Sequence, residues 1–142
     1  MLFAVLFFSG KVFAQQKAEK VLESANVVTI SPKDFKMSLN GQIILPFEYG
    51  KATLSNTEDV RLLKYVDVYK IDLVYTWHSS GTTEIRQKPL NLQRLTELEK
   101  LIPEILSSKK IKWELVVQTD KDIMHEKDLF HGFVVHYKTA DR

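Results

Sequence analysis

Histidine and carboxylate side chains at strand ends are the residues with which this chain would do acid–base or ligand-binding work. Two apolar runs end at Trp77-His78 and at Gln118-Thr119-Asp120, and a third ends at His136-Tyr137. In an open parallel sheet, ligands collect beyond the carboxyl ends of the strands. If these ends line one edge, a histidine, a carboxylate and two aromatic rings face a small polar ligand or a sugar. Trp77, His78, Gln118, Thr119 and Asp120 are therefore the candidate ligand-binding residues, and His78 with Asp120 would be the working edge of a hydrolase. Caps and solvated loops around an unused edge draw on the same residue types, so both readings stand.

Other chemistries find less support. Cysteine is absent, which excludes disulfides, thiol nucleophiles and thiolate zinc sites. His125 and His131 fall on a predicted helix and its exit. His131 and His136 are five apart and would point to opposite faces of one strand. There is no His-Glu-x-x-His and no Asp-x-Ser-x-Ser run, so no metal is expected, and no cofactor either. A Gly-x-Ser-x-Gly elbow and a phosphate-cradling glycine loop are both missing, and Ser79-Ser80-Gly81 reads as a turn. No two carboxylates are close within one apolar run, where desolvation would raise a pKa for general-acid work.

The elements that must hold these residues follow from periodicity. Val27-Val28-Thr29-Ile30 is β-branched and reads as a strand. Asn40-Gly41 between Met37-Ser38-Leu39 and Gln42-Ile43-Ile44-Leu45 predicts a hairpin, with Pro46 marking its second arm as an edge. From Tyr65 to Trp77 apolar residues occupy both parities (Tyr65, Tyr69, Ile71, Leu73, Tyr75 and Trp77 against Val66, Val68 and Val74), as in a central strand. His78 to Thr83 reads as a loop. Leu92, Leu95, Leu98, Leu101 and Ile102 recur at helical spacing after Asn91, a fair N-cap, and Pro103 interrupts the pattern. Ile111, Trp113, Leu115 and Val117 alternate as a strand. Asp120 would cap a short helix over 121–129, stopped by Gly132, before the last strand Phe133-Val134-Val135-His136-Tyr137. The fold expected is α/β or α+β: a mixed sheet with an N-terminal hairpin followed by strand, helix, strand, short helix, strand, its second half parallel.

Residues 2–8 form an unbroken apolar run of seven, short of the roughly 20 that span a bilayer but enough for a secretory signal. Ser9-Gly10 breaks the run, and Val12 and Ala14 place short residues at −3 and −1 of a cleavage site. No Lys or Arg precedes the run, and a buried N-terminal element is the competing reading. The division expected is a signal peptide over 1–14, a flexible leader or short helix over 15–25, and one globular domain over 26–142. Lys plus Arg is 20 against 18 Asp plus Glu, and only Lys11 leaves with the signal. A near-neutral body gives no electrostatic case for nucleic acid. No further apolar run is long enough for a membrane span, so the expected product is periplasmic or extracellular, with a cell-envelope protein or glycan as partner.

Three stretches carry a resemblance: Leu90-Asn91-Leu92-Gln93-Arg94-Leu95, Trp113-Glu114-Leu115-Val116-Val117-Gln118-Thr119, and Leu129-Phe130-His131-Gly132-Phe133-Val134-Val135-His136-Tyr137. Together they resemble a group of exported proteins of Bacteroidota, some of which carry a von Willebrand factor A-like region after such a module. The resemblance covers about residues 60–138; it implies export and brings no activity with it. In its Phe130-His131-Gly132 segment, Gly would be a left-handed stop and His a hydrogen-bonded cap. The strand, loop and helix order over residues 71–105 is also similar to the peptidoglycan-binding domain shared with outer-membrane protein A. That family's loop Asp is missing at Ser79–Gly81, and Asn91 and Arg94 stand three apart, so its binding residues do not transfer. The functional expectation is a non-enzymatic binding or scaffold module of the envelope, with a hydrolase or a divergent peptidoglycan binder as alternatives.

Overall fold

Ile71, Leu73 and Val74 are wholly buried, because the strand that carries them has a neighbour on each side and a packed layer on each face. The computed structural model describes residues 14–38, 40–76, 82–118 and 129–139. Residues 14–24 are helical (α1). The strands are β1 (Asn26–Ile30), β2 (Gln42–Pro46), β3 (Asp67–Thr76), β4 (Lys112–Gln118) and β5 (Gly132–Lys138), and α2 is Thr82–Leu101. Short 3-10 turns occupy Pro32–Asp34, Asp59–Lys64 and Ile105–Ser107. The five strands form one mixed sheet in the order β1-β4-β3-β5-β2. β1 and β3 both run parallel to β4, whereas β5 is antiparallel to β3 and to β2.

One face of the sheet carries the main core. Ile71 and Leu73, Trp113 and Leu115, Phe133 and Val135, and Ile43 and Leu45 meet Leu95 and Leu98 of α2 and Ala18 and Val21 of α1. Removing such a buried leucine costs about 2–5 kcal/mol. The Phe47 and Phe133 rings lock the face edge-on at 5.0 Å. The opposite face holds a small cluster of Val74, Val116 and Val134, backed by Ile30, Ile44, Phe35 and Phe130, with Phe35 stacked on Phe130 at 5.5 Å.

The mixed sheet, the central β3, the strand Trp113–Val117 and the leucine stripe of α2 agree with expectation. Five points differ. The hairpin at Asn40-Gly41 does not form: Gly41 takes a positive φ of 80°, but β2 pairs with β5 and residues 37 and 38 join no strand. The dipeptide encodes a turn, not the partner of the strand that follows it. Secondly, the last strand is antiparallel, since side-chain alternation is blind to direction. Thirdly, α2 begins at Thr82, so Asn91 lies mid-helix and buried instead of capping; the apolar stripe starts only at Leu92 and cannot register the earlier turns. Fourthly, of the two readings for residues 15–25 it is the short helix that forms and not the flexible leader, α1 packing into the core through Ala18 and Val21. Finally, Gly132 is no helix stop but the first residue of β5, where a Cβ would lie 2.8 Å from Pro46 Cα and strike Leu45 O. Pro46 does lie on an edge strand, with its carbonyl accepting Ser55 N–H at 2.9 Å.

After α2 the chain turns through Glu104, a non-glycine residue at φ 72°. The Glu99 carboxylate holds this turn, accepting Glu104 N–H at 2.8 Å and Leu106 N–H at 3.0 Å. Lys17 of α1 reaches the same carboxylate at 3.2 Å.

Candidate functional site

Of the five residues expected to bind a ligand, four (Trp77, His78, Thr119 and Asp120) lie outside the described residues, as does the expected helix up to residue 128. Gln118 is described. It is buried at the end of β4, and its amide donates to Phe130 O at 2.8 Å, which fixes the approach of the chain to β5. The third expected strand end, His136-Tyr137, is not at this edge. Because β5 runs antiparallel, its carboxyl end sits at the amino ends of β3 and β4, and its beginning brings His131 beside Gln118 instead. His131 Nδ1 lies 3.1 Å from Leu129 O. A carbonyl only accepts, so Nδ1 carries a proton, and Nε2 lies 2.9 Å from the Thr76 hydroxyl. His131 thus ties β3 to the start of β5, close to its expected role as a hydrogen-bonded cap.

A second polar group gathers on the face opposite the main core. Register places Asp72 beside Glu114 across β3–β4, and Lys70 beside His136 across β3–β5. His136 in turn faces Gln42 of β2. Alternation within four strands therefore puts Lys70, Asp72, Glu114, His136 and Gln42 on one face. A register shift between Val68 and Lys70 adds a sixth residue. Such a bulge inserts a residue and re-aims side chains; here it lets Val68 pack on the core while Tyr69, one place along, stands 6.2 Å from the His136 ring. This explains why Tyr69, expected within a buried strand, is 44% exposed; Tyr65, at 83%, stands outside β3, at the end of the Asp59–Lys64 turn.

The contacts define the protonation of the group. His136 Nε2 lies 2.7 Å from Asp72 Oδ2 and Nδ1 lies 3.4 Å from Gln42 Nε2. Gln42 Oε1 accepts Ser38 N–H at 2.6 Å, so its amide nitrogen is the end turned to the ring, and that nitrogen only donates. The matching form of His136 is the neutral ring with hydrogen on Nε2, both nitrogens engaged. Lys70 Nζ sits 3.3 Å from Glu114 Oε1 and 3.5 Å from Asp72 Oδ1. Partial burial alone would lower its pKa, but the two carboxylates outweigh this and hold it above the ordinary lysine value of 10.5.

Sequence reasoning misses this group because Asp72 and Glu114 pair between strands, and spacing along one run does not register such a pair. The signal was present: Lys70 and Asp72, Glu114, and His136 each interrupt an apolar strand at one parity. Among the described residues no set of three His, Asp or Glu side chains is placed to hold a metal ion. A groove of about 240 Å3 opens on the core side, at the amino ends of β3 and β4, between Leu63, Val66, Ile102, Ile105 and Ile111; it is remote from the edge marked by Gln118. No helix among the described residues is long and apolar enough to cross a membrane. Compared with protein-family models, with curated proteins and with solved structures, the chain matches none.

Proposed function

We propose that this chain is a non-enzymatic binding module exported to the cell envelope, and that it takes an envelope glycan on the sheet face around Tyr69. The observation that carries the reading is the placement of His136. Its two ring nitrogens are turned to Asp72 and Gln42 within the sheet, whereas a general base must be within reach of a substrate proton. Recognition is better served. Tyr69 presents an aromatic ring that is 44% exposed, next to His136 on the face that carries the Lys70–Glu114 pair. The mixed charges around the ring suit a neutral, hydroxyl-rich ligand rather than a polyanion. Export rests on the apolar run over 2–8 and the short residues at Val12 and Ala14.

The test combines calorimetric titration with product analysis, using soluble fragments of envelope polysaccharide. Saturable binding that Tyr69→Ala abolishes, with the polysaccharide recovered intact, is the expected result. Hydrolysis of the glycan, or no heat from the wild-type chain, overturns the reading. Mass spectrometry of the native protein checks export: an N-terminus at Gln15 agrees with it, and retention of Met1 overturns it.

A further inference from the structure

We propose that His136 is a proton-operated latch on the edge strand β2, releasing Ser38 from Gln42 when the ring becomes charged. This goes beyond the glycan reading and does not rest on it.

The argument follows the donors along one chain of bonds. Ser38 N–H donates to Gln42 Oε1, Gln42 Nε2–H donates to His136 Nδ1, and His136 Nε2–H donates to Asp72 Oδ2. Every donor meets an acceptor only when Nδ1 is bare. The other neutral tautomer would set N–H against N–H at Gln42 and a lone pair against the Asp72 carboxylate. A charged ring, which donates from both nitrogens, keeps Asp72 but opposes the Gln42 amide. That amide relieves the opposition by turning over, which offers Oε1 to the ring and its NH2 to Ser38 N–H. The mismatch then passes to Ser38, which loses its acceptor.

Charged and polar groups from several strands surround the ring. From β3, Asp72, Lys70 and Tyr69 face His136, and from β4, Glu114 stands behind Lys70. Lys112 is exposed beside Lys70 in register, Gln42 is the contact from β2, and Lys138 on β5 pairs with Asp67 at 3.8 Å. Asp72 and Glu114 against Lys70 leave this core of the group one negative charge in excess while His136 is neutral. A proton gained on Nδ1 is answered in the turn leading to β2. Ser38 is well placed to transmit the change, because its hydroxyl also bonds Asn40 O and N–H, both at 3.2 Å.

Nuclear magnetic resonance of the full chain between about pH 8 and about pH 5, across the ordinary histidine range, tests the latch. At the upper end the His136 ring should show a bare Nδ1 and a protonated Nε2. As the ring titrates, exchange of the Ser38 amide, corrected for its intrinsic rate, should accelerate roughly five- to tenfold, the worth of one hydrogen bond. Gln42→Glu supplies an acceptor to both sides, so its Ser38 amide should keep constant protection as the ring gains its proton. A proton on Nδ1 at neutral pH overturns the proposal. So does unchanged Ser38 exchange through the titration, or equal release in Gln42→Glu.

Discussion

Asp72 and His136 meet at 2.7 Å although they are diagonal neighbours in the sheet, not register partners: Asp72 lies across from Val134, and His136 across from Lys70. One carboxylate thereby serves a histidine on one side and a lysine on the other. Asp72→Ala removes both contacts and should cost about 2–3 kcal/mol, the range for hydrogen bonds to a charged group. Urea denaturation should show a lower midpoint with an unchanged slope. Asp72→Asn, which keeps an acceptor for the ring, should lose less.

Lys70 gives the cluster a pH dependence of definite sign. Its pKa is raised in the fold above 10.5, so folding favours the charged form. Its contribution is therefore complete below the unfolded lysine value and fades as pH climbs through the folded one. The stability difference between wild type and Lys70→Met should stay level from neutral to mildly alkaline solution and shrink only beyond about pH 10.5. A difference that already shrinks near neutrality would contradict this assignment of charge.

Gly132 tests the contact between β5 and the edge strand. Any Cβ there strikes Leu45 O and comes within 2.8 Å of Pro46 Cα, both backbone atoms with little room to yield. Gly132→Ala should cost about 1–3 kcal/mol or more. Its amide exchange should rise first in β2 rather than in β4, since β5 alone joins β2 to the sheet.

Glu99 and Glu104 form a matched pair of tests at the end of α2. Glu99→Ala orphans the amides of Glu104 and Leu106 and releases Lys17, for an expected loss of about 2–3 kcal/mol. Glu104→Gly instead relieves a left-handed side-chain clash at φ 72° and should stabilise the fold by about 0.5–1 kcal/mol, the clash outweighing the extra chain entropy. Thermal melts of the two variants should move in opposite directions.

The architecture was legible in the sequence wherever one residue pattern has one structural meaning. Apolar residues on both parities around Ile71 mark a strand with covered faces. The leucines from Leu92 mark a helix stripe, and Pro46 marks an edge. What was not legible depends on partners far along the chain. Asn40-Gly41 specifies positive φ at Gly41, yet the strand after it finds β5 some ninety residues away. The direction of β5 has no residue signature, so the pattern alone puts His136 at the wrong end of the sheet. Periodicity puts Tyr69 in the core, whereas one inserted residue in β3 reverses the parity before it. The Asp72–Glu114–His136 grouping needs two registers at once, β3–β4 and β3–β5, although each polar residue within an apolar strand already announces that it has a partner.

The order β1-β4-β3-β5-β2 has a consequence for how the chain is assembled. Both rims of the sheet come from the first 46 residues, and all three inner strands from residue 67 onward. β1 and β2 do not pair with each other; each waits for a strand synthesised much later. A nascent chain emerging from its amino terminus has no sheet to build until β3 and its neighbours arrive, and closing those long-range pairings is slow. The leading third consequently stays without its strand partners through most of synthesis.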